Sequence, residues 1–258
     1  MGTIFRLEIR QILGGRRKWV ILAFLTLPVF LTVLIRAGFN WEMPDSEDLR
    51  EFDVNPFFLA PYFLYSVVVA GLLALLNGSL FVSTEVSGRT LTYLFTRPIP
   101  KWKVLVAKFA AAVAATTPPT LLSLTATFTV LEFYGGFRGY AITVFTTVLA
   151  IAAYNAVFAV WGAIIPRRAM VVCLAYWFLM EVVLSFVPAV INQLSMAFHI
   201  RSIALILAEI PIPEDLVRVI GAPSLVGSLA ALTALIVGTL GIACLIFLRR
   251  EYPMTEEV

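Results

Sequence analysis

The sequence predicts an all-α integral membrane protein with six transmembrane helices. Three observations lead to this prediction. Hydrophobic residues make up 60% of the 258 residues and charged residues only 14%, against roughly 25% charged residues in ordinary soluble domains. The apolar residues lie in long blocks and are not scattered at a helix or strand period. Basic residues lie beside these blocks, and mainly in alternate connecting segments, as the positive-inside rule describes.

Six apolar blocks are long enough to cross a membrane. A helix needs about 20 apolar residues to cross ~30 Å of hydrocarbon, and a longer helix must tilt, kink or protrude. The predicted spans are residues 19–35, 56–82, 104–130, 140–165, 169–191 and 225–248. We expect residues 1–258 to form a single transmembrane domain with no soluble domain attached.

The segment before the first span predicts a short amphipathic helix. Residues 1–13 mix apolar side chains with Arg6 and Arg10, and Gly14 and Gly15 follow as a stop. We expect this helix to lie on the inner membrane interface; a frayed basic tail is the alternative. The first span itself follows three basic residues, as a signal peptide would, but residues 35–38 offer no clear cleavage site. We therefore interpret it as a transmembrane helix.

Basic residues predict the orientation, because Lys and Arg stay preferentially on the cytoplasmic side. With both termini inside, thirteen basic residues of the connecting segments are cytoplasmic and five are outside. Lys108 lies just inside the third span, where its long stem can snorkel to the cytoplasmic interface. The basic residues accompany apolar blocks and form no separate basic face, so we expect a lipid membrane as partner and no nucleic acid.

The long outer segment before the sixth span, residues 192–224, predicts one further helix. Its 194–208 part is too short and too polar to cross a membrane, and Pro211 follows it. We expect a re-entrant or interface helix here.

No catalytic or metal-binding motif is present in the sequence. HExxH, GxSxG and CxxC are missing, and the chain has one histidine. No GxxxxGK[ST] occurs either, so the chain has no phosphate loop with which to bind a nucleotide. We expect no enzyme activity, no metal and no cofactor bound by this chain.

The inner segment between the second and third spans, residues 83–103, predicts a short amphipathic helix on the cytoplasmic face. Gly88 can break the descending helix and Thr90 can cap a new one, which prolines end before the third span. Its sequence resembles the permease subunits of type-2 ATP-binding-cassette transporters. The residues that carry the resemblance are Glu85, Gly88, Thr90, Leu91, Leu94, Phe95, Arg97, Pro98, Ile99, Lys101 and Lys108, together with Phe247 to Glu251 at the end of the sixth span.

The resemblance implies a type-2 permease fold and a transport function. The short helix between spans two and three would be a coupling helix, and two permeases, identical or paralogous, would pair above two ATP-binding subunits. ATP and Mg²⁺ would be bound by those partner subunits, and the chain would serve as the permease of an exporter in the cell membrane. An ion-coupled secondary transporter or a membrane scaffold is the alternative. Secondary transporters often have internal repeats and several buried ionisable groups, whereas this sequence shows no internal repeat and one deeply placed acid.

Two polar residues are predicted to lie deep in the membrane. Glu181 on span five and Asn155 on span four fall at similar depths, roughly 18 Å and 15 Å from the inner face at 1.5 Å per residue. Glu181 could contact a cationic or polar substrate or carry a proton. We favour a structural role, in which a protonated Glu181 hydrogen-bonds Asn155, Tyr154 or Ser185.

Overall fold

The computed structural model describes residues 2–14, 17–38, 61–81, 83, 100–132, 136–183, 193, 195–209 and 224–249. Every regular element in these ranges is helical. The helices are α1 (Gly2–Leu13), α2 (Arg17–Gly38), α3 (Pro61–Asn77), α4 (Lys101–Val130), α5 (Gly136–Ile164), α6 (Ala169–Trp177), α7 (Met196–Leu207) and α8 (Leu225–Arg249).

Four of these helices are long and apolar enough to cross a membrane. They are α2, α4, α5 and α8, whose apolar stretches run 20 to 29 residues, and their bounds lie within four residues of the predicted first, third, fourth and sixth spans. The second and fifth spans are described in part, as α3 and as α6 with the six residues after it. The all-α membrane class is therefore confirmed, and six crossings stay a prediction.

Helix α5 occupies the centre of the bundle. It contacts α3, α4, α6, α7 and α8, and more than half of its residues are buried. Two clusters of buried apolar side chains meet along it, one shared with α1, α2 and α4, the other with α6 and α7. Apolar residues point in all directions around α5, as expected for a helix with neighbours on every side.

The predicted N-terminal helix is present, and it packs against protein. Helix α1 contacts the first turns of α4, and its Ile12 is buried in the core. Glu8 of α1 lies 3.5 Å from the amino group of Lys108 on α4. The expectation that Lys108 snorkels to the interface is therefore wrong: the side chain is buried against α1 because a carboxylate partner is available there.

Two helices contain π-helical segments, in which each turn holds an extra residue. The first is Leu64–Val69 within α3, and the second is Phe178–Val183, which continues α6. Such segments are rare in proteins overall, and those that occur often lie at functional sites. In this protein the second segment carries Glu181.

Candidate functional site

The predicted coupling helix lies outside the described residues. Glu85, Gly88, Thr90, Leu91, Leu94, Phe95, Arg97 and Pro98 all fall within residues 84–99. Their roles stay predictions. The other two predicted site residues, Glu181 and Asn155, are both described and fully buried.

Glu181 binds the N-terminus of α7. Its Oε1 accepts a hydrogen bond from the backbone N–H of Met196 at 3.1 Å, and its Oε2 accepts one from Ala197 at 2.7 Å. Both oxygens of the Glu181 carboxyl group therefore act as acceptors for α7, and the protonated state that we expected stays a prediction. The positive end of the helix dipole adds a favourable field at this position.

The start of α7 needs such a partner because it is buried. The first N–H groups of a helix have no acceptor within the helix, and an unpaired buried amide costs roughly 1–3 kcal/mol. Ser195 caps one of these groups through a hydrogen bond from the N–H of Phe198 at 3.1 Å. Glu181 accepts from the two amides before it, so one carboxylate and one hydroxyl satisfy three buried donors.

The expected hydrogen bond between Glu181 and Asn155 is not formed. Asn155 instead donates from Nδ2 to the carbonyl of Ile151 at 2.8 Å, one turn back on α5. Its Oδ1 has no hydrogen-bond partner among the described residues and lies beside Gly78. Asn155 faces α3, whereas Glu181 faces α7.

Three tyrosines lie in the electrostatic neighbourhood of the Glu181 carboxylate. Tyr154 of α5 lies beside it without reaching regular hydrogen-bond geometry. Tyr62 of α3 and Tyr176 of α6 lie in its electrostatic neighbourhood. The hydroxyls of Tyr62 and Tyr154 are both buried, and neither has a hydrogen-bond partner in the described part of the chain. Four helices, α3, α5, α6 and α7, thus contribute groups to the neighbourhood of this carboxylate.

Arg201 completes the polar group on the α7 side. Its guanidinium lies in the electrostatic neighbourhood of Tyr62, and its Nη2 atom is buried without a hydrogen-bond partner among the described residues. The hydroxyl of Tyr62 lies in the electrostatic neighbourhood of both Arg201 and Glu181. The site therefore contains an acid, a base and two unpaired hydroxyls within the helix bundle.

The far end of α7 is held by an exposed ion pair. Arg138, near the start of α5, donates to Glu209 at 2.7 Å, and this hydrogen bond lowers the pKa of the Glu209 carboxyl. From Arg138 to Tyr154 the axis of α5 rises roughly 24 Å, and from Met196 to Glu209 the chain can rise roughly 20 Å. Helix α7 therefore runs along α5 in the opposite direction, with its N-terminus deep in the bundle.

The sequence indicated part of this site. It indicated Glu181 as a deep acid, with Tyr154 among its partners, and it predicted a helix at residues 194–208, which α7 confirms. The contact between the two, and the contributions of Tyr62 and Arg201, were missed. One signal was present: Ser195 stands directly before an apolar helix, as an N-cap does, and a buried cap implies further acceptors close by.

Comparison with known proteins identifies the family. The model of the ABC-2 family transporter proteins matches residues 2–252, nearly the whole chain. The chain therefore belongs to this family and is a multi-pass membrane protein of a transporter. No curated protein matches it in sequence.

Proposed function

We propose that this member of the ABC-2 transporter family is the permease subunit of an ATP-binding-cassette exporter in the cytoplasmic membrane. The family match over residues 2–252 is the observation that carries the proposal. Four long apolar helices, one of which is the buried central helix α5, agree with it, because a permease must present helices to lipid and keep its polar groups inside.

A separate subunit would hydrolyse ATP. The chain has no phosphate loop, and phosphoryl transfer from ATP in a transporter of this kind needs one, together with Mg²⁺. The partners that we propose are therefore an ATP-binding subunit, which binds ATP and Mg²⁺, and a second permease, either a copy of this chain or a paralogue.

The purified chain alone is expected to show no ATPase activity. Co-expression with its ATP-binding subunit should give a stable complex whose ATP turnover in lipid vesicles exceeds that of the free ATP-binding subunit. Substantial ATP hydrolysis by a pure sample of this chain, abolished by a substitution within it, would contradict the proposal.

The segment from Gly88 to Phe95 would couple ATP hydrolysis to the spans. It belongs to a 21-residue inner segment, residues 83–103, whereas the other inner connection, residues 166–168, has three residues and forms a single 3₁₀ turn. Leu91, Leu94 and Phe95 would be its apolar anchors, each contributing roughly 1–3 kcal/mol if buried in the contact. The alternative is that these side chains pack on the protein's own spans or on lipid.

Replacing Leu91 and Leu94 together by serine is expected to reduce both co-purification of the ATP-binding subunit and its ATP turnover. Ile165→Ser is a matched control, since Ile165 is an exposed apolar residue directly before the other inner connection. Both variants should reach the membrane and melt like the parent. Normal complex formation and normal turnover in the double variant would remove the coupling role from this segment.

A further inference from the structure

The outer face of α1 carries exposed basic side chains. Arg6 and Arg10 lie one turn apart on the same face of the helix, and both are exposed. Leu7, next to them, is 54% exposed. Glu8 and Ile12 lie one turn apart on the opposite face, where Glu8 forms its ion pair with α4 and Ile12 is buried. Helix α1 therefore turns its one carboxylate to the bundle and its two arginines away from it.

Two lysine–tryptophan pairs lie at the starts of α2 and α4. The amino group of Lys18 lies 5.6 Å from the ring centre of Trp19, and that of Lys103 lies 5.5 Å from the ring centre of Trp102. Both distances are within the range of a cation–π contact. The two tryptophans are 64% and 44% exposed, and exposed tryptophans favour the headgroup level of a membrane. Each helix start thus presents a positive charge beside an exposed ring.

Helix α1 lies against both of these helix starts. It contacts α2 and α4, and Ile12 belongs to the same cluster of buried apolar side chains as Ile21 of α2 and Leu105 of α4. Trp19 precedes Ile21 by two residues, and Trp102 precedes Leu105 by three. The arginines of α1 and the two lysine–tryptophan pairs therefore lie at the same end of the bundle.

Negative charge is scarce in these three helices. Glu8 is the only acidic residue of α1, α2 and α4, and its carboxylate lies 3.5 Å from the amino group of Lys108. No ion pair to a described residue neutralises the two arginines of α1 or the lysines of the two tryptophan pairs. An anion from outside the chain is the partner that complements such a charge distribution.

We propose that these side chains form a binding surface for the headgroups of anionic phospholipids. The α1 surface, as we call it, consists of Arg6, Arg10, Lys18, Trp19, Trp102 and Lys103. Its guanidinium and ammonium groups pair with the lipid phosphate, and its indole rings lie at the level of the glycerol groups. The proposal goes beyond the proposed function and does not rest on it, since all three helices belong to this chain.

A lipid fits the α1 surface better than a free phosphate ion. Exposed apolar groups, the two indole rings and the Leu7 side chain, stand beside the charges. Helix α2 continues from Trp19 as an apolar stretch of which only 17% is buried inside the protein. A phosphate ion would use the charges and leave the apolar groups in water, whereas a phospholipid joins an anionic headgroup to acyl chains and uses both.

Thermal melting of the purified full-length chain measures this binding. The chain is kept in an uncharged detergent, and phosphatidylglycerol or phosphatidylcholine is added in increasing amounts. A ligand of the folded state raises the melting temperature as it saturates its site, so each titration gives a half-saturating lipid concentration. This concentration should be at least roughly tenfold lower for phosphatidylglycerol than for phosphatidylcholine, and the difference should shrink as salt is added. Inorganic phosphate should leave the melting temperature unchanged.

Substitution of the arginines should remove the preference between the lipids. Arg6→Gln with Arg10→Gln should bring the two half-saturating concentrations within about twofold, because each basic group near an anionic lipid contributes roughly fivefold in affinity. Trp19→Leu with Trp102→Leu keeps every charge and should raise the half-saturating phosphatidylglycerol concentration a few-fold. If the arginine variant does not fold, Lys18→Gln with Lys103→Gln decides by the same criterion.

A charge-matched control separates the α1 surface from the general attraction of a basic end for anionic lipid. Arg167→Gln with Arg168→Gln removes the same charge from the α5–α6 turn, where both side chains are exposed, and should keep the parent's preference. An equal loss in this control would refute the proposal. Equal half-saturation of the parent by the two lipids would refute it as well, and so would stabilisation by inorganic phosphate to the same extent as by phosphatidylglycerol.

A protein partner is the other possible occupant of the α1 surface. If the arginine variant keeps its preference for phosphatidylglycerol but no longer co-purifies with the ATP-binding subunit, a protein covers this face and the lipid proposal is refuted. The lipid titration itself contains neither ATP nor a partner. Failure to find an ATP-binding subunit would therefore refute the proposed function and leave this test standing.

Discussion

At the scale of single residues, glycine allows α3 and α5 to cross with their backbones in contact. A Cβ atom on Gly162 would lie 2.7 Å from the carbonyl oxygen of Ser79, and one on Gly78 would lie 3.1 Å from Oδ1 of Asn155. The Ser79 oxygen belongs to the backbone and cannot turn aside as a flexible side chain can. Any side chain at Gly162 therefore forces the two helices apart.

Gly162→Ala is expected to lower stability by about 1–3 kcal/mol, the usual cost of overpacking. Gly238→Ala is the matched control, because a Cβ at this position of α8 would meet no atom within 4 Å. Alanine favours a helix over glycine by about 1 kcal/mol, so this variant should melt at the same temperature or higher. Melting of both variants in one detergent tests the opposite signs, and equal shifts would contradict the close crossing.

Residue roles were harder to predict than residue burial. Glu181 and Asn155 were both predicted to lie deep in the membrane from their positions along two spans. Both are buried within the protein, and their depth in the membrane stays a prediction. Their partners depend on how each helix is rotated about its axis and on where a separate helix ends. The rise per residue predicts how far along a helix a side chain lies. It does not predict the direction in which the Glu181 side chain points, because the π-helical segment adds a residue and so rotates the side chains that follow it.

At the scale of helices, α1 is fixed to the bundle by a buried ion pair. The side chains of Lys108 and Glu8 are 4% and 12% exposed, with 3.5 Å between the charged atoms. Ile12 adds a buried apolar contact one turn further along α1. Removing one member of a buried ion pair destabilises a protein more than replacing both members does, because the remaining charge loses that partner while it stays buried.

Glu8→Ala is therefore expected to lower stability by up to roughly 3 kcal/mol and to free α1 for proteolysis. Trypsin should then cut after Arg6 or Arg10, which are exposed on α1. Glu8→Gln combined with Lys108→Met should restore most of the protection, since no charge is left buried. Gln11→Ala, an exposed change on the same helix, serves as control. Equal cleavage of all variants would show that the pair does not hold α1.

Helix positions were predictable because each depends on a long pattern. Apolar length predicted α2, α4, α5 and α8 within four residues, and a glycine pair predicted the end of α1. The surroundings of α1 were not predictable: its amphipathic pattern suits a lipid interface and a protein surface equally well. Lys108 shows the same limit. Its amino group was expected to reach the membrane interface, but it pairs with Glu8, which is distant in sequence.

At the scale of the whole molecule, charge and ion pairs separate two ends of the bundle. Arg36 at the end of α2 pairs with Glu132 after α4, and Arg138 pairs with Glu209 at the same end. The other end carries the basic residues at the start of α2 and of α4, those of the α5–α6 turn and Arg249. This arrangement agrees with the thirteen-to-five distribution of basic residues along the sequence, which favours a cytoplasmic position for the basic end.

Single-cysteine labelling in intact cells tests this orientation. The reporters are Ser224→Cys, exposed before α8, and Gly2→Cys, exposed at the start of α1; Ser202 is unsuitable because it is buried. In a background with Cys244 replaced by alanine, a membrane-impermeant maleimide should label Ser224→Cys directly and Gly2→Cys only after permeabilisation. The physical reason is that Lys and Arg beside a span resist translocation, and the basic end holds most of them. Labelling of Gly2→Cys in intact cells, with Ser224→Cys protected, would reverse the topology and place the coupling segment on the side without ATP.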